Sequence, residues 1–105
     1  MTTHHDRQAR ILADIKAERD SQDALFGVQN LPDGTSALFK GSADVHRSDC
    51  DRAFTEGRGT FRHVFLEEVF EAMAESHPIK LRAELIQAIA VGVKWVEAID
   101  RRTTT

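Results

Sequence analysis

Between Leu85 and Val96 every residue is apolar or glycine except Gln87 and Lys94. The run has no period-two alternation, so it reads as a helix, and a helix apolar on nearly all sides must be covered by a core or by another chain. In a chain of 105 residues, three shorter helices supply limited cover, and a homodimer or homotetramer is expected. The polar exceptions need a reason. At 3.6 residues per turn Glu84, Gln87, Val91 and Lys94 share one sector of the helix, with Lys80 before them and Arg101 after. Polar groups there are costly unless paired or solvated in a cleft. Taken singly they have ordinary explanations, since Lys80 and Glu84 are spaced as a helical ion pair and Lys94 can pair with Glu97 or extend to the surface.

The rest of the chain also reads as helical. Asp6 to Asp23 is amphipathic through Ile11, Leu12 and Ile15. Gly27 and the run Asn30-Leu31-Pro32-Asp33-Gly34-Thr35 then block a helix, which predicts a long loop over Gly27–Gly41. A second helix is expected from about Ala43 to Glu56, closed by Gly57 and Gly59. Thr60 is the expected N-cap of a third helix running to about Glu75 with Leu66, Val69, Phe70 and Met73 as its apolar stripe. Ser76 is expected to cap a fourth helix that has Pro78 in its first turn and ends near Arg101. The expectation is an all-α fold: a single domain over residues 1–105 built as a four-helix bundle, with residues 1–5 and 102–105 frayed.

Charge and cysteine usage narrow the function classes. The formal charge is −3 with both signs mixed along the chain, so no basic stripe announces nucleic acid, and none is expected as a partner. One cysteine, Cys50, points to a reducing compartment and a cytoplasmic protein. No apolar run is long enough to span a bilayer, and the N-terminal Met-Thr-Thr-His-His-Asp has none behind it, so neither export nor a membrane is expected.

The third helix has an unusual charge texture. No Lys or Arg falls between Arg62 and Lys80, while Glu67, Glu68, Glu71 and Glu75 crowd one side. Like charges four apart cost roughly 0.2–0.5 kcal/mol per pair in an isolated helix. A hard divalent cation, which takes oxygen ligands, would turn that repulsion into binding energy. A solvated acidic face is the plain alternative. The first helix, with Asp14, Lys16, Glu18 and Arg19 interspersed, shows what such a face ordinarily looks like. Glu68 and Glu71 stand one turn apart, as do Glu84 and Gln87, so two facing helices would bring both pairs to one ion.

Glu68-x-x-Glu71 followed by Glu84-x-x-Gln87 resembles the E-x-x-E then E-x-x-D arrangement of the MazG-like all-α nucleotide pyrophosphohydrolases. Leu66-Glu67-Glu68-Val69-Phe70-Glu71-Ala72, Leu81-Arg82-Ala83-Glu84-Leu85 and Trp95-Val96-Glu97-Ala98-Ile99 are similar to members of that family. The segment with Glu18-Arg19, Gln22, Phe26-Gly27-Val28-Gln29-Asn30 and Pro32-Asp33-Gly34 resembles a small branch from actinobacteria and their phages. The resemblance implies an oligomeric four-helix MazG-like bundle that uses Mg²⁺, or Mn²⁺ in its place, to split a nucleoside triphosphate into monophosphate and pyrophosphate. By position it makes Glu68, Glu71 and Glu84 metal ligands, with Gln87 in the fourth ligand position, and Glu67, Glu68 and Glu71 the catalytic groups, Glu67 orienting water. Gln87 stands where the family has Asp. An amide oxygen can ligate but brings no charge and cannot act as a base, so the metal would be held more weakly.

In such an enzyme Lys94, Lys80 and Arg101 are expected to meet the phosphates, and Phe26, Gln22 and Asn30 the base. Phe26 reads equally well as a core aromatic closing the loop. His46, His63 and His77 lack a two-histidine metal spacing and are expected to be structural or superficial. Cys50 reads as a small buried hydrophobe. No P-loop, Rossmann fingerprint or Ser/His/Asp arrangement is present. Two other classes stay open: a nucleotide-binding or accessory protein that has lost catalysis, which Gln87 favours, and a purely structural oligomerisation module.

Overall fold

The computed structural model describes residues 3–103. Among them there are four α-helices and no strand: α1 (His4–Phe26), α2 (Lys40–Thr55), α3 (Phe61–Met73) and α4 (Pro78–Thr103), with a short 3-10 turn at Ala37–Phe39 before α2. The all-α expectation holds. None of these helices is long and apolar enough to cross a membrane. The chain divides into two compact units, one of Asp33–Gly92 and one made from residues up to Pro32 together with those from Val93 onward.

The unit that contains α1 is held largely by local chemistry. Thr3 and Asp6 form a capping box, in which the Thr3 hydroxyl accepts from the Asp6 N–H at 3.0 Å. Of the positions expected to fray, Thr3 caps the helix, 4 and 5 are helical, and 102 and 103 belong to α4, while 1, 2, 104 and 105 lie outside the described residues. Along α1, Lys16 pairs with Asp20 at 3.0 Å and Arg19 with Asp23 at 2.7 Å, one turn apart. Such pairs each add a few tenths of a kcal/mol to a solvated helix. The helix runs three residues past Asp23 and stops at Gly27, whose φ of +70° an L side chain rarely adopts. Ile11 and Glu97 are the buried residues of this unit.

The other unit is organised by α2 packed on α3. The buried face of α2 is Ala43, Cys50 and Ala53, and Ala72 of α3 is fully buried, so small side chains let the two helices approach closely. Leu81 and Ala88 are the buried apolar residues of the first half of α4. The Phe65 ring of α3 lies 3.5 Å from where a Cβ on Gly92 would stand, which leaves room for the helix at that glycine.

Three boundaries differ from expectation for identifiable reasons. The predicted loop ends early, because the Ser36 hydroxyl accepts from the Leu38 N–H and its own N–H donates to the Met73 carbonyl at 2.9 Å, pinning the segment to the end of α3. Helical structure thus begins at Ala37, and Lys40 rather than Ala43 opens α2. At α4 the cap is His77, not Ser76: its Nδ1 accepts from the Ile79 N–H at 3.2 Å, and its carbonyl accepts from Leu81. His63 and His46 also serve the fold. His63 is buried and completes a capping box with Thr60 at the start of α3, and His46 stacks on Phe70 with ring centroids 4.2 Å apart.

Candidate functional site

The acidic side of α3 is not turned to solvent. One carboxylate oxygen each from Glu68 and Glu71 of α3 and Glu84 of α4 lie within 4.8 Å of one another, and all three side chains are partly buried. The 13-residue helix α3 positions the first two one turn apart, and the buried Leu81 and Ala88 fix the rotation of α4 that turns Glu84 toward them.

This convergence has an electrostatic cost. Burial, followed by the carboxylates of Glu71, Glu67 and Glu84, pushes the Glu68 carboxyl above its ordinary range. Burial, followed by Glu71 and Glu75, does the same to Glu84. The Oε2 atoms of Glu68 and Glu84 are enclosed with no hydrogen-bond partner. Buried polar atoms are nearly always satisfied, so two orphaned carboxylate oxygens in one cluster are a strain that a cation or a proton relieves.

Beside the cluster is a cavity of about 490 Å³ lined by Lys40, Asp44, Arg47, Glu71, Glu75 and Glu84. Arg47 reaches Asp44 at 3.2 Å on its own helix and Glu71 at 3.4 Å across to α3. Lys40, Asp44 and Arg47 were not singled out by their sequence. Their spacing of four and then three places them on one face of α2, but that signal shows only once the helix is known to start at Lys40.

The other expected site residues are divided between the two units. Gln87 is exposed and does not line this cavity, and Lys80 sits exposed in the first turn of α4. Glu67 points to α2, where it hydrogen-bonds the Cys50 thiol; burial first, and then that carboxylate, push the thiol up to about 11. Lys94 and Arg101 belong to the unit that also holds α1, as do Gln22, Phe26 and Asn30. Within that unit Gln22 is engaged by its own helix, accepting from Arg19 at 2.8 Å and donating to Glu18 at 3.2 Å. Phe26 is exposed at the end of α1, and Asn30 is exposed in the segment that follows. No family model, curated protein or solved structure matches this chain.

Proposed function

We propose that the protein is a Mg²⁺-dependent hydrolase of nucleoside triphosphates, releasing monophosphate and pyrophosphate, with Glu68, Glu71 and Glu84 as metal ligands. The observation that carries this reading is the meeting of the three carboxylates on two helices. The orphaned Oε2 atoms of Glu68 and Glu84 supply the fit for a hard cation. The resemblance of Glu68-x-x-Glu71 and Glu84-x-x-Gln87 to the MazG-like pattern supplies the reaction class.

A divalent ion bound there would neutralise phosphate charge and acidify the attacking water. The chain's own contribution is geometric and electrostatic. Glu68 and Glu84, partly buried, hold their charge poorly without a counter-ion, which favours a cation over bulk water at that point. Glu71 ties the cluster to α2 through Arg47. Incubation with a panel of triphosphates and Mg²⁺, scoring monophosphate and pyrophosphate, tests the reading. Turnover that Glu71→Ala leaves unchanged, or no turnover on any triphosphate, defeats it.

A second reading rests on Gln87, neutral and exposed where the family pattern has Asp: a protein that binds nucleotide without hydrolysing it. Tight binding without product, converted to turnover by Gln87→Asp, selects that alternative. Under either reading the chain works as a homodimer or homotetramer in the cytoplasm. Ile86 and Ile89 of α4 are 52% and 55% exposed, side chains that a partner would cover, and an uncrosslinked Cys50 suits a reducing compartment.

A further inference from the structure

We propose that Lys40 and Arg47 of α2 are the residues that receive the phosphate chain, and that Arg47 is held on Glu71 until a divalent cation takes over that carboxylate. The inference rests on the metal-site reading above and adds to it the anion-binding wall.

The cavity wall carries four carboxylates, Asp44, Glu71, Glu75 and Glu84, against two cations, Lys40 and Arg47. A polyanion is repelled from such a wall until a divalent ion cancels the excess of negative charge, so the phosphate chain is expected to bind here together with the metal. The two cations are placed for that event. Both stand on one face of α2, two turns apart, at an open cavity of about 490 Å³ that also has two of the metal-site carboxylates, Glu71 and Glu84, in its lining.

Their present partners are weak ones. Arg47 meets Glu71 through a single contact at 3.4 Å, with the guanidinium side chain 49% exposed and the Glu71 side chain 23% exposed. The other terminal nitrogen of Arg47 meets Asp44 at 3.2 Å on its own helix, so the guanidinium is split between two carboxylates and makes with neither the two parallel hydrogen bonds by which it best recognises a phosphate. Lys40 forms no ion pair among the described residues. When a cation binds the Glu71 carboxylate, the attraction that holds Arg47 there falls, and the guanidinium nitrogen on Glu71 is released beside the metal while Asp44 still anchors the other from the same helix. Arg47 is therefore a competitor of the metal in the absence of phosphate and its ally in the presence of phosphate. A surface ion pair that merely joins α2 to α3 would have neither property.

Calorimetric titration of the full chain separates the outcomes, with Mn²⁺ alone as the first probe and inorganic tripolyphosphate added to Mn²⁺-loaded protein as the second. Arg47→Gln is expected to bind Mn²⁺ as tightly as the wild type or more tightly, and to bind tripolyphosphate about tenfold or more weakly, the worth of one lost charge-assisted hydrogen bond. Lys40→Gln is expected to weaken only the second titration. Arg47→Lys, which keeps the charge and loses the fork, is expected to fall between. Circular dichroism confirms that these exposed substitutions leave the helices folded. Equal tripolyphosphate affinity in wild type and both Gln variants, or Mn²⁺ binding that weakens in Arg47→Gln, overturns the proposal while leaving the metal site standing. Failure of wild-type protein to bind Mn²⁺, or binding that Glu71→Gln does not reduce, overturns the metal reading itself and this inference with it.

Discussion

Glu68 and Glu84, on different helices, bring carboxylate oxygens within 4.8 Å of each other while each keeps an enclosed Oε2 that nothing among the described residues satisfies. Two carboxylates arranged in this way oppose the fold unless something neutralises them. The stability of the protein is accordingly tied to what occupies the space between them.

The first consequence is a pH dependence with a definite sign. Both carboxyls have folded-state values raised above the ordinary range, so the folded chain binds protons more tightly than the unfolded one. Below about pH 4.3, the unfolded value of a glutamate, these two groups impose no penalty; their contribution to stability falls as the pH rises from there through the raised folded values. Metal-free protein is expected to have a higher thermal midpoint near pH 5 than Glu68 and Glu84 permit at pH 7. Saturating Mg²⁺ is expected to flatten that difference, adding about 2.7 kcal/mol at a hundredfold excess over its dissociation constant. Thermal melts at both pH values with chelator and with Mg²⁺ check this, and a midpoint indifferent to Mg²⁺ at pH 7 refutes it.

Neutral isosteres separate charge from shape. Glu68→Gln and Glu84→Gln preserve volume and remove one of the crowded charges, so each is expected to raise the metal-free midpoint at pH 7 by a few degrees, since ~1 kcal/mol corresponds to ~4–8 °C in a domain of this size. The same variants should lose the Mg²⁺-induced shift. An ordinary pair of core-facing residues would give destabilisation in both conditions, and that pattern would remove the electrostatic account of the cluster.

The acidic cluster was legible in the sequence because helical spacing alone puts Glu68 and Glu71 on one face, and because a stretch without Lys or Arg signals repulsion in need of a partner. The four helices were legible for a similar reason: their punctuation is local, by Thr60, Gly27 and Pro78. Lys40 and Arg47 were hidden because their place on the cavity wall depends on where α2 begins, and that start is set by Ser36 donating to the carbonyl of Met73, a contact between residues far apart in the chain. The His77 cap was hidden by its side chain, since Ser is the commoner capping residue and nothing in the spacing favours the imidazole. Gln87 reads as a ligand from periodicity, yet it is exposed. The period of a helix fixes which residues share a face but leaves its rotation to packing, here to Leu81 and Ala88.

Two glycines of the α2–α3 region should respond oppositely to alanine. A Cβ at Gly59 would lie 2.5 Å from the Phe54 ring, so the ring must swing off the backbone it covers, whereas a Cβ at Gly41 would meet nothing within 4 Å. Gly59→Ala is expected to cost about 0.5–1.5 kcal/mol, the half-exposed Phe54 ring being forced from its rotamer. Gly41→Ala, inside α2, is expected to gain about 0.5 kcal/mol through helix propensity. Urea denaturation of the two variants beside wild type decides it, and a Gly59→Ala protein as stable as wild type would show that Phe54 does not pack there.

Cys50 offers a readout of the other side of α3. Its thiol is buried and pushed up to about 11, by burial first and then by Glu67, with Asp51 and Asp49 adding to the effect. The thiolate is the reactive species. At pH 8, three units below that value, roughly one thiol in a thousand is ionised, against about a quarter for an unperturbed cysteine. Native protein is therefore expected to react with a thiol reagent at least a hundredfold more slowly than urea-unfolded protein at the same pH. Glu67→Gln removes one of the charges that hold the proton on and should speed native labelling severalfold without moving the thermal midpoint by more than a few degrees. Labelling kinetics followed by mass spectrometry measure both effects. Fast modification of the native wild type would mean that Cys50 is open to solvent, and with it that the α2–α3 contact through Cys50, Ala53 and Ala72 is looser than the fold requires.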